Sequence, residues 1–488
     1  MNIVFINPSV DKYSDFKLWA SKLANYMSGK HVTVLPKLVP MIMAALTPPE
    51  HSFVYIDEEI DDIDFDRIDV DFVAITAMTV QADRAYEIAD EFRKRGKKVV
   101  IGGIHASVLP DEVELHADAV CVGEGENIWP VMLADFVAGQ LKKRYEAKDY
   151  PPVTNLVSPR VDVIQHSRYS ILPVLATKGC PYDCDFCSIK FSSGNKIRQK
   201  PVEQVLDEIR ELEKYNKGYF RKPYLFVDDN LYINREYTKS LFTGLIGLNI
   251  TWFGSATLDT VNDDEVLELM AKSGCRTLVI GFESISEASL KEMNKKANHV
   301  DQYNVIIEKL TRLGIAPGGN FIFGFDSDDK DVFEKTCDFI LDSKILCSYL
   351  NIMTPYPGTR LYDRVKDRIF DKKWSHYWAI RCVFKPGKMT PEELDSGAYW
   401  AAAQVMRIDK AKRMLEHFWS HGPWDTNPTL NLIERAILLI VSHRLRKVKE
   451  YKEYAKFFFW AATRKNAVNM FLVFQLAYFA NMIKENFS

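Results

Sequence analysis

Lys178-Gly179-Cys180-Pro181-Tyr182-Asp183-Cys184-Asp185-Phe186-Cys187 follows directly on the apolar run Leu172–Ala176. A short apolar run broken by a glycine reads as a buried strand running out into a loop. Further apolar runs follow at Tyr224–Val227, Trp252–Ala256, Leu278–Phe282, Gly319–Phe323 and Tyr349–Met353. Stretches of helical periodicity lie between them, Val202–Tyr215 and Asp263–Lys272 among them. Six strand–helix units are too few for a closed eight-fold barrel, so the pattern predicts an open, partial (β/α)6 barrel with its active face at the strand ends. The cysteine loop, Asp228-Asp229-Asn230, Glu283-Ser284 and Pro355-Tyr356-Pro357 all fall at such ends.

Three thiolates spaced by four and three residues can converge on one soft metal centre. Zinc usually takes a fourth ligand and two Cys-x-x-Cys pairs. Cys121, Cys275, Cys337, Cys347 and Cys382 supply no such pair. Cys180, Cys184 and Cys187 therefore point to a four-iron cube with one iron left open. The alternative is a zinc knuckle completed by a distant histidine. Taken singly, the other strand-end residues say less: an Asp-Asp-Asn run is often a turn or N-cap, and a buried Glu an ion-pair partner.

Upstream, Ile3–Ile6, Phe53–Ile56, Phe72–Ile75, Val99–Ile101 and Ala119–Val122 read as buried strands, with an amphipathic helix at Gln81–Arg95. This alternation predicts an N-terminal doubly wound parallel sheet, an α/β domain that takes ligands at the carboxyl ends of its strands. Those ends carry Thr76 to Thr79, Gly102-Gly103 and Gly123-Glu124-Gly125-Glu126. Here the plainer alternative is that the glycines only permit tight turns.

The chain of 488 residues has 63 Lys+Arg against 66 Asp+Glu, a net charge of −3. That balance disfavours nucleic acid as a partner. The start MNIVFINPSV lacks the features of a secretory signal, and eight irregularly spaced cysteines suit metal ligation in a reducing cytosol, so a cytoplasmic location is expected. The expected division is an α/β domain over 1–150, the partial barrel over 165–385 and a helical C-terminal region over 386–488. In that last region eight Lys/Arg face two acids between His443 and Lys465, and an uncharged stretch runs from Asn466 to Ile483. The uncharged stretch is marginal for a bilayer span of about 20 residues. It reads as a packed helix, or as one lying on an anionic membrane surface.

The cysteine loop, with Phe186 at the aromatic place, resembles the signature of the radical S-adenosylmethionine (SAM) superfamily. The resemblance covers about residues 165–390. It implies a [4Fe–4S] cluster on Cys180, Cys184 and Cys187, SAM chelated to the open iron, and one-electron cleavage of SAM to a 5′-deoxyadenosyl radical. Asp228-Asp229-Asn230 resembles the turn that helps hold SAM. Ile280-Gly281-Phe282-Glu283-Ser284 is similar to the fourth-strand motif whose acid contacts the SAM ribose or amino end. Met353-Thr354-Pro355-Tyr356-Pro357-Gly358-Thr359 resembles the adenine-side turn of the last strand.

Residues 1–150 resemble the cobalamin-binding domain that precedes the barrel in one subfamily, through Val99–Ala106 and Asp118–Glu126. Thr76, Thr79, Gly102, Gly103, Gly123, Glu124 and Glu126 are then the corrin-side candidates. None of the ten histidines has Asp two places before it, so the resemblance implies cobalamin bound with no histidine below cobalt, and His105 serving the fold or the cofactor rim. The activity implied is a cobalamin-dependent radical SAM C-methyltransferase acting on a small, apolar substrate such as a lipid or porphyrin. A flavodoxin or ferredoxin would be its electron donor. A radical SAM cyclase or other carbon–carbon bond-forming enzyme, with or without cobalamin, is the alternative, and a non-catalytic corrinoid carrier is one of another class. The aromatic residues Trp374, Tyr377, Trp378, Tyr399 and Trp400 are expected to pack as core or to lid the substrate. The sequence names no catalytic residue, and it shows neither a second cysteine cluster nor an RNA-binding module. The first absence disfavours the auxiliary-cluster domains of the peptide-modifying branch, the second a tRNA methylthiotransferase.

Overall fold

The structure is a computed structural model. It describes residues 1–10, 35–147, 150, 157–217, 221–295 and 297–422, and beyond these 439, 442–443, 446 and 452–463. Strands β1 (Asn2–Asn7), β2 (Ser52–Asp57), β3 (Phe72–Thr76), β4 (Lys98–Gly102), β5 (Ala119–Val122) and β6 (Arg144–Glu146) form one sheet, ordered β2-β1-β3-β4-β5-β6. Every pairing in it is parallel. Successive side chains of a strand point to opposite faces, and both faces here are covered. Val4, Ile6, Val73, Ile75, Val99 and Ile101 pack beneath the helix Ala82–Lys94. Ile3, Phe5, Phe72, Ala74 and Val100 pack with residues of the helices Leu38–Leu46 and Trp129–Val137. Burial on both faces is why these strands read as continuous apolar runs. Strand β6 escapes that reading: it is an edge strand, and two of its three residues are Arg144 and Glu146.

The second sheet begins with β7 (Leu172–Val174). A two-stranded antiparallel ribbon follows, β8 (Thr177–Lys178) with β9 (Arg198–Gln199), and the cysteine loop spans the residues between its strands. Strands β10 (Tyr224–Phe226), β11 (Trp252–Ala256), β12 (Cys275–Glu283), β13 (Ala316–Phe323) and β14 (Cys347–Ile352) complete the sheet. Its order is β14-β13-β12-β11-β10-β7, parallel throughout. This is the open six-unit barrel, walled outside by helices such as Val202–Glu213 and Asp264–Lys272. Strands β12 and β13 begin earlier than the apolar runs suggest, at Cys275 and Ala316.

The C-terminal region is helical where described. Thr390 and Glu393 form a reciprocal capping box on the helix Pro391–Val405, and Ile408–His421 and Lys452–Ala462 follow. The stretch Asn466–Ile483 lies outside the described residues, as does much of the basic segment before it. Among the described residues no helix is long and apolar enough to cross a membrane.

Among the polar contacts that join the N-terminal sheet domain to the rest are three made by Tyr169, Trp374 and Ser375. Tyr169 donates to Asp57 at 3.0 Å, the Trp374 indole N–H to Glu112 at 2.7 Å, and the Ser375 amide to Asp83 at 2.8 Å. Trp374 is therefore a joint between domains. Tyr377 is buried, the Tyr399 hydroxyl is bonded to the Ile380 carbonyl, and only Trp400 of the five aromatics is widely exposed, at 45%.

Candidate active site

The cysteine loop is fixed from both ends. Gly179 turns at φ +89°, and a side chain there would run into the Lys196 carbonyl, so only glycine fits. Asp228 accepts from the Ala176 amide at 3.0 Å, from the Thr177 hydroxyl at 2.8 Å and from the Thr177 amide. Burial pushes its carboxyl up to about 7 against those bonds. Asp229 takes the Gly179 amide at 2.8 Å, and the Asn230 side-chain N–H lies 3.9 Å from Cys180 Sγ. The turn after β10 thus braces the loop that carries the cysteines. From the other side, Arg360 grips Asp185 at 2.7 Å and Asp183 at 2.5 Å, and the Leu361 amide donates to the Asp185 carbonyl at 3.0 Å. Arg360 opens the helix Arg360–Val365, capped by Thr359, directly after the Pro355-Tyr356-Pro357 turn. Pro355 is buried, and the Tyr356 carbonyl accepts from Thr359 at 2.7 Å, so this turn is built for rigidity.

Burial raises the thiols of Cys184 and Cys187, the latter to about 11, and each also feels Cys180 and Lys295. The three thiols lie near enough to feel one another, and a bound metal would overcome this rise by deprotonating them. Among the described residues no three His, Cys, Asp or Glu side chains converge tightly enough for a single ion. A cubane asks for something different, one thiolate on each of three irons.

Strand β12 ends in a bulge against β13 between Gly281 and Glu283, and Glu283 adopts φ +61°. A non-glycine residue held there costs free energy, and such strain gathers at functional positions. The Asn298 amide holds the bulge by donating to the Gly281 and Phe282 carbonyls, both at 2.8 Å, and the Tyr303 hydroxyl donates to Phe282 and Ser284. Glu283 Oε1 accepts from Lys295 at 2.9 Å. Burial pulls the Lys295 ammonium down, but Glu283 and Cys184 outweigh it and hold the group above its ordinary range. Lys295 also lies 5.9 Å from the Phe186 ring centre. The Ser284 hydroxyl accepts from the Ser286 amide, which makes it a turn former.

Three buried acceptors around this loop have no partner in the protein: Glu283 Oε2, Asp228 Oδ2 and Asn230 Oδ1. Buried acceptors left unpaired are expensive. SAM brings an ammonium and two ribose hydroxyls, so the donor-hungry site fits it.

Facing the loop, a cavity of about 380 Å³ lies at the carboxyl ends of β1, β3, β4 and β5. Phe5, Ile42, Met43, Trp129 and Met132 give it an apolar side; Thr76, Gly102, Gly103, Gly123, Glu124 and Glu126 line the strand ends. Its far wall comes from the barrel: Leu175, Lys178, Ser192, Ser193, Val227 and Asp229. Gly103 turns at φ +98°, and a Cβ there would come within 2.6 Å of the Ala77 carbonyl. Such a backbone-and-apolar cradle fits the edge of a corrin. Thr79, expected at this site, is buried in the turn Thr79–Gln81 and is not part of the wall; Gln81 is.

His105 is fully buried and does not line the cavity. Its Nε2 meets the Tyr86 hydroxyl at 2.8 Å, and that hydroxyl donates to Glu112 at 2.8 Å. Among the described residues no histidine faces the cavity. Arg198, Lys295 and Arg360 shape the site without having stood out in the sequence; Arg198 and Arg360 act through partners 74 and 175 residues away, and Lys295 through Glu283, twelve residues away across the bulge.

Residues 25–132 match the B12 binding domain family and residues 174–340 the Radical SAM superfamily. The chain is 35% identical over 406 residues to bacteriochlorophyllide d C-12(1)-methyltransferase of Chlorobaculum tepidum, covering 81% of this chain and 88% of that one. It is 34% identical over 367 residues to the C-8(2)-methyltransferase of the same organism, covering 72% and 81%. The fold is also that of the radical SAM methyltransferase TsrM from Kitasatospora setae, solved with cobalamin and a [4Fe–4S] cluster: TM-score 0.63, 14% identity, 93% of this chain and 99% of that one. With its B12-binding domain set against a radical SAM barrel, the chain belongs to the family of cobalamin-binding radical SAM enzymes, whose cofactors are a [4Fe–4S] cluster, SAM and cobalamin.

Proposed function

We propose that this enzyme methylates an unactivated carbon of an apolar, macrocyclic small molecule of the chlorin class. The observation that carries the methyl-transfer reading is the shared cavity, walled on one side by the corrin-side strand ends and on the other by the mouth of the barrel. The two methyltransferases it resembles over most of its length, both named for bacteriochlorophyllide d, support the substrate class.

When bound, the cluster and cobalamin supply the one-electron cleavage of SAM and the methyl transfer to carbon that side chains cannot perform. In this reading Cys180, Cys184 and Cys187 hold the cluster and Phe186 packs beside it. Glu283, Asp228 and Asn230 offer their unpaired oxygens to the donors of SAM, Asp229 keeps the loop turned, and Ser284, Pro355 and Tyr356 shape the pocket for its nucleoside end. Thr76, Gly102, Gly103 and Gly123 present backbone to the corrin, and Glu124 and Glu126 fix the neighbouring turn. The reducing electron would come from a one-electron donor such as a flavodoxin or ferredoxin.

The test uses anaerobically reconstituted protein with reductant, bacteriochlorophyllide and SAM carrying a deuterated methyl group. Methylation places the label in the chlorin and releases both S-adenosylhomocysteine and 5′-deoxyadenosine. 5′-Deoxyadenosine with an altered chlorin and no label would establish a cyclase-like reaction instead.

A further inference from the structure

The turn Gly123-Glu124-Gly125-Glu126 leaves β5 along the wall of the corrin-side cavity, yet its two carboxylates are spent on the barrel. Glu124 accepts from Arg198 at 2.5 and 2.9 Å and lies 3.6 Å from Lys178; Glu126 pairs with Lys178. All four side chains are nearly enclosed, between 3% and 14% exposed. Lys178 and Arg198 are direct partners in the ribbon of β8 and β9, which forms the neck of the cysteine loop. Two cations placed opposite each other on adjacent strands repel. The two carboxylates of the other domain offset that repulsion by pairing with the cations. Arg198 also donates to the Ser193 carbonyl at 2.6 Å, and the next residue, Gly194, accepts the Cys180 amide at 3.3 Å.

The domains have other joints, Trp374 to Glu112, Ser375 to Asp83 and Tyr169 to Asp57, and none of these residues belongs to the cysteine loop or lines the cavity. The ion quartet differs, because one short turn lines the first cofactor's cavity while gripping the neck of the second cofactor's loop. We infer that Glu124, Glu126, Lys178 and Arg198 are positioning residues that set the corrin site in register with the cluster site. The inference rests on the site assignments of the proposed function. It matters for the reaction because both cofactors must address one substrate carbon, and an error of about 1 Å can cost on the order of 10²-fold in rate. A shared turn also makes the two occupancies interdependent: ordering the cysteine loop favours the corrin-binding form of the turn, and the effect is reciprocal.

The experiment titrates hydroxocobalamin into the full chain, anaerobically, with and without the reconstituted cluster. Wild-type protein should bind it at least about 5-fold more tightly when the cluster is in place. The paired neutral variant Lys178→Met/Glu126→Gln avoids leaving either charge buried alone and keeps the Arg198–Glu124 link; its ratio should fall to less than about half the wild-type ratio while its iron content stays at the wild-type level. The exchanged pair Lys178→Glu/Glu126→Lys should restore the ratio. In parallel, the magnetic interaction between cob(II)alamin and the reduced cluster, read by electron paramagnetic resonance, should change in the neutral variant and return in the exchanged one. A wild-type ratio of one, or a ratio kept by the neutral variant, overturns the inference alone. Protein that takes up iron but no corrinoid overturns the cavity assignment beneath it.

Discussion

Lys295 Nζ lies 2.9 Å from Glu283 Oε1, and the two side chains are 9% and 5% exposed. The pair leaves Glu283 Oε2 without a protein partner. One oxygen is therefore held by the fold and the other is available to a ligand. Glu283→Gln should weaken SAM binding to cluster-loaded protein by about 10- to 150-fold, the worth of a charge-assisted hydrogen bond of roughly 1.5–3 kcal/mol. Iron content should not change. Unaltered SAM affinity in this variant would leave Glu283 as nothing more than the partner of Lys295.

The cysteines divide by position. Cys180→Ala, Cys184→Ala and Cys187→Ala should each lose most of their iron and all SAM cleavage, since no other thiol belongs to this loop. Cys275 and Cys382 are buried, with burial pushing both thiols up to about 12, and Cys121 lines the opposite cavity. Their alanine variants should keep wild-type iron. Iron and 5′-deoxyadenosine assays on the six proteins check this, and SAM cleavage by Cys184→Ala would refute the cluster assignment.

His105→Ala should leave the spectra of bound cob(II)alamin unchanged. The ring is locked between Tyr86 and the domain joint of Glu112 and Trp374, away from the cavity. Its loss unpairs part of a buried network, so stability should fall by about 1–3 kcal/mol. A change in the cobalt spectrum on this substitution would mean that histidine reaches the metal.

Asp328 gives a pH dependence. Its carboxylate accepts from the Gly324 and Phe325 amides at 3.0 and 3.1 Å and from the Ser289 hydroxyl at 2.8 Å. Burial nevertheless pushes the group up to about 6, and Glu292 adds to the rise. Between about pH 4 and pH 6 the folded chain keeps a proton that the unfolded chain has released, so stability falls as pH rises through that window. Relative to Asp328→Asn, cluster-free wild type should lose roughly 2–3 kcal/mol of unfolding free energy across it. Parallel pH profiles for the two proteins would place the proton elsewhere.

How much of this was legible in the sequence follows from what each feature depends on. Buried parallel strands are apolar on both faces, so β1, β3 and β4 show themselves within a residue or two. The ribbon of β8 and β9 has two residues a strand and two of its four side chains charged, which no periodicity reveals. Cys180, Cys184 and Cys187 stand out because their spacing is local. Arg360 does not, because its contact with Asp185 joins residues 175 apart. Thr79 and Ser284 lie at the turns where ligand contacts were expected, yet Thr79 is buried outside the cavity wall and the Ser284 hydroxyl accepts from the Ser286 amide: chain position locates a strand end but does not aim a side chain.

Gly103 tests the corrin cradle directly. It turns at φ +98° at the end of β4, where an added Cβ would sit 2.6 Å from the Ala77 carbonyl and 2.9 Å from its amide nitrogen. Both turns line the cavity, so Gly103→Ala must push them apart at the place where the corrin is expected to rest. Gly96 provides the control. It turns at φ +75° with nothing within 4 Å of the added carbon, and it lies outside the cavity. Gly96→Ala carries the backbone strain alone, about 1 kcal/mol of stability. Gly103→Ala should weaken hydroxocobalamin binding by at least about tenfold, equivalent to roughly 1.4 kcal/mol, and Gly96→Ala should leave it unchanged. Both variants should keep full iron and cleave SAM to 5′-deoxyadenosine, because the cysteine loop is held by Asp229, Arg198 and Arg360 rather than by this turn. Equal corrinoid affinity in Gly103→Ala and wild type would mean that the cofactor rests on another part of the wall.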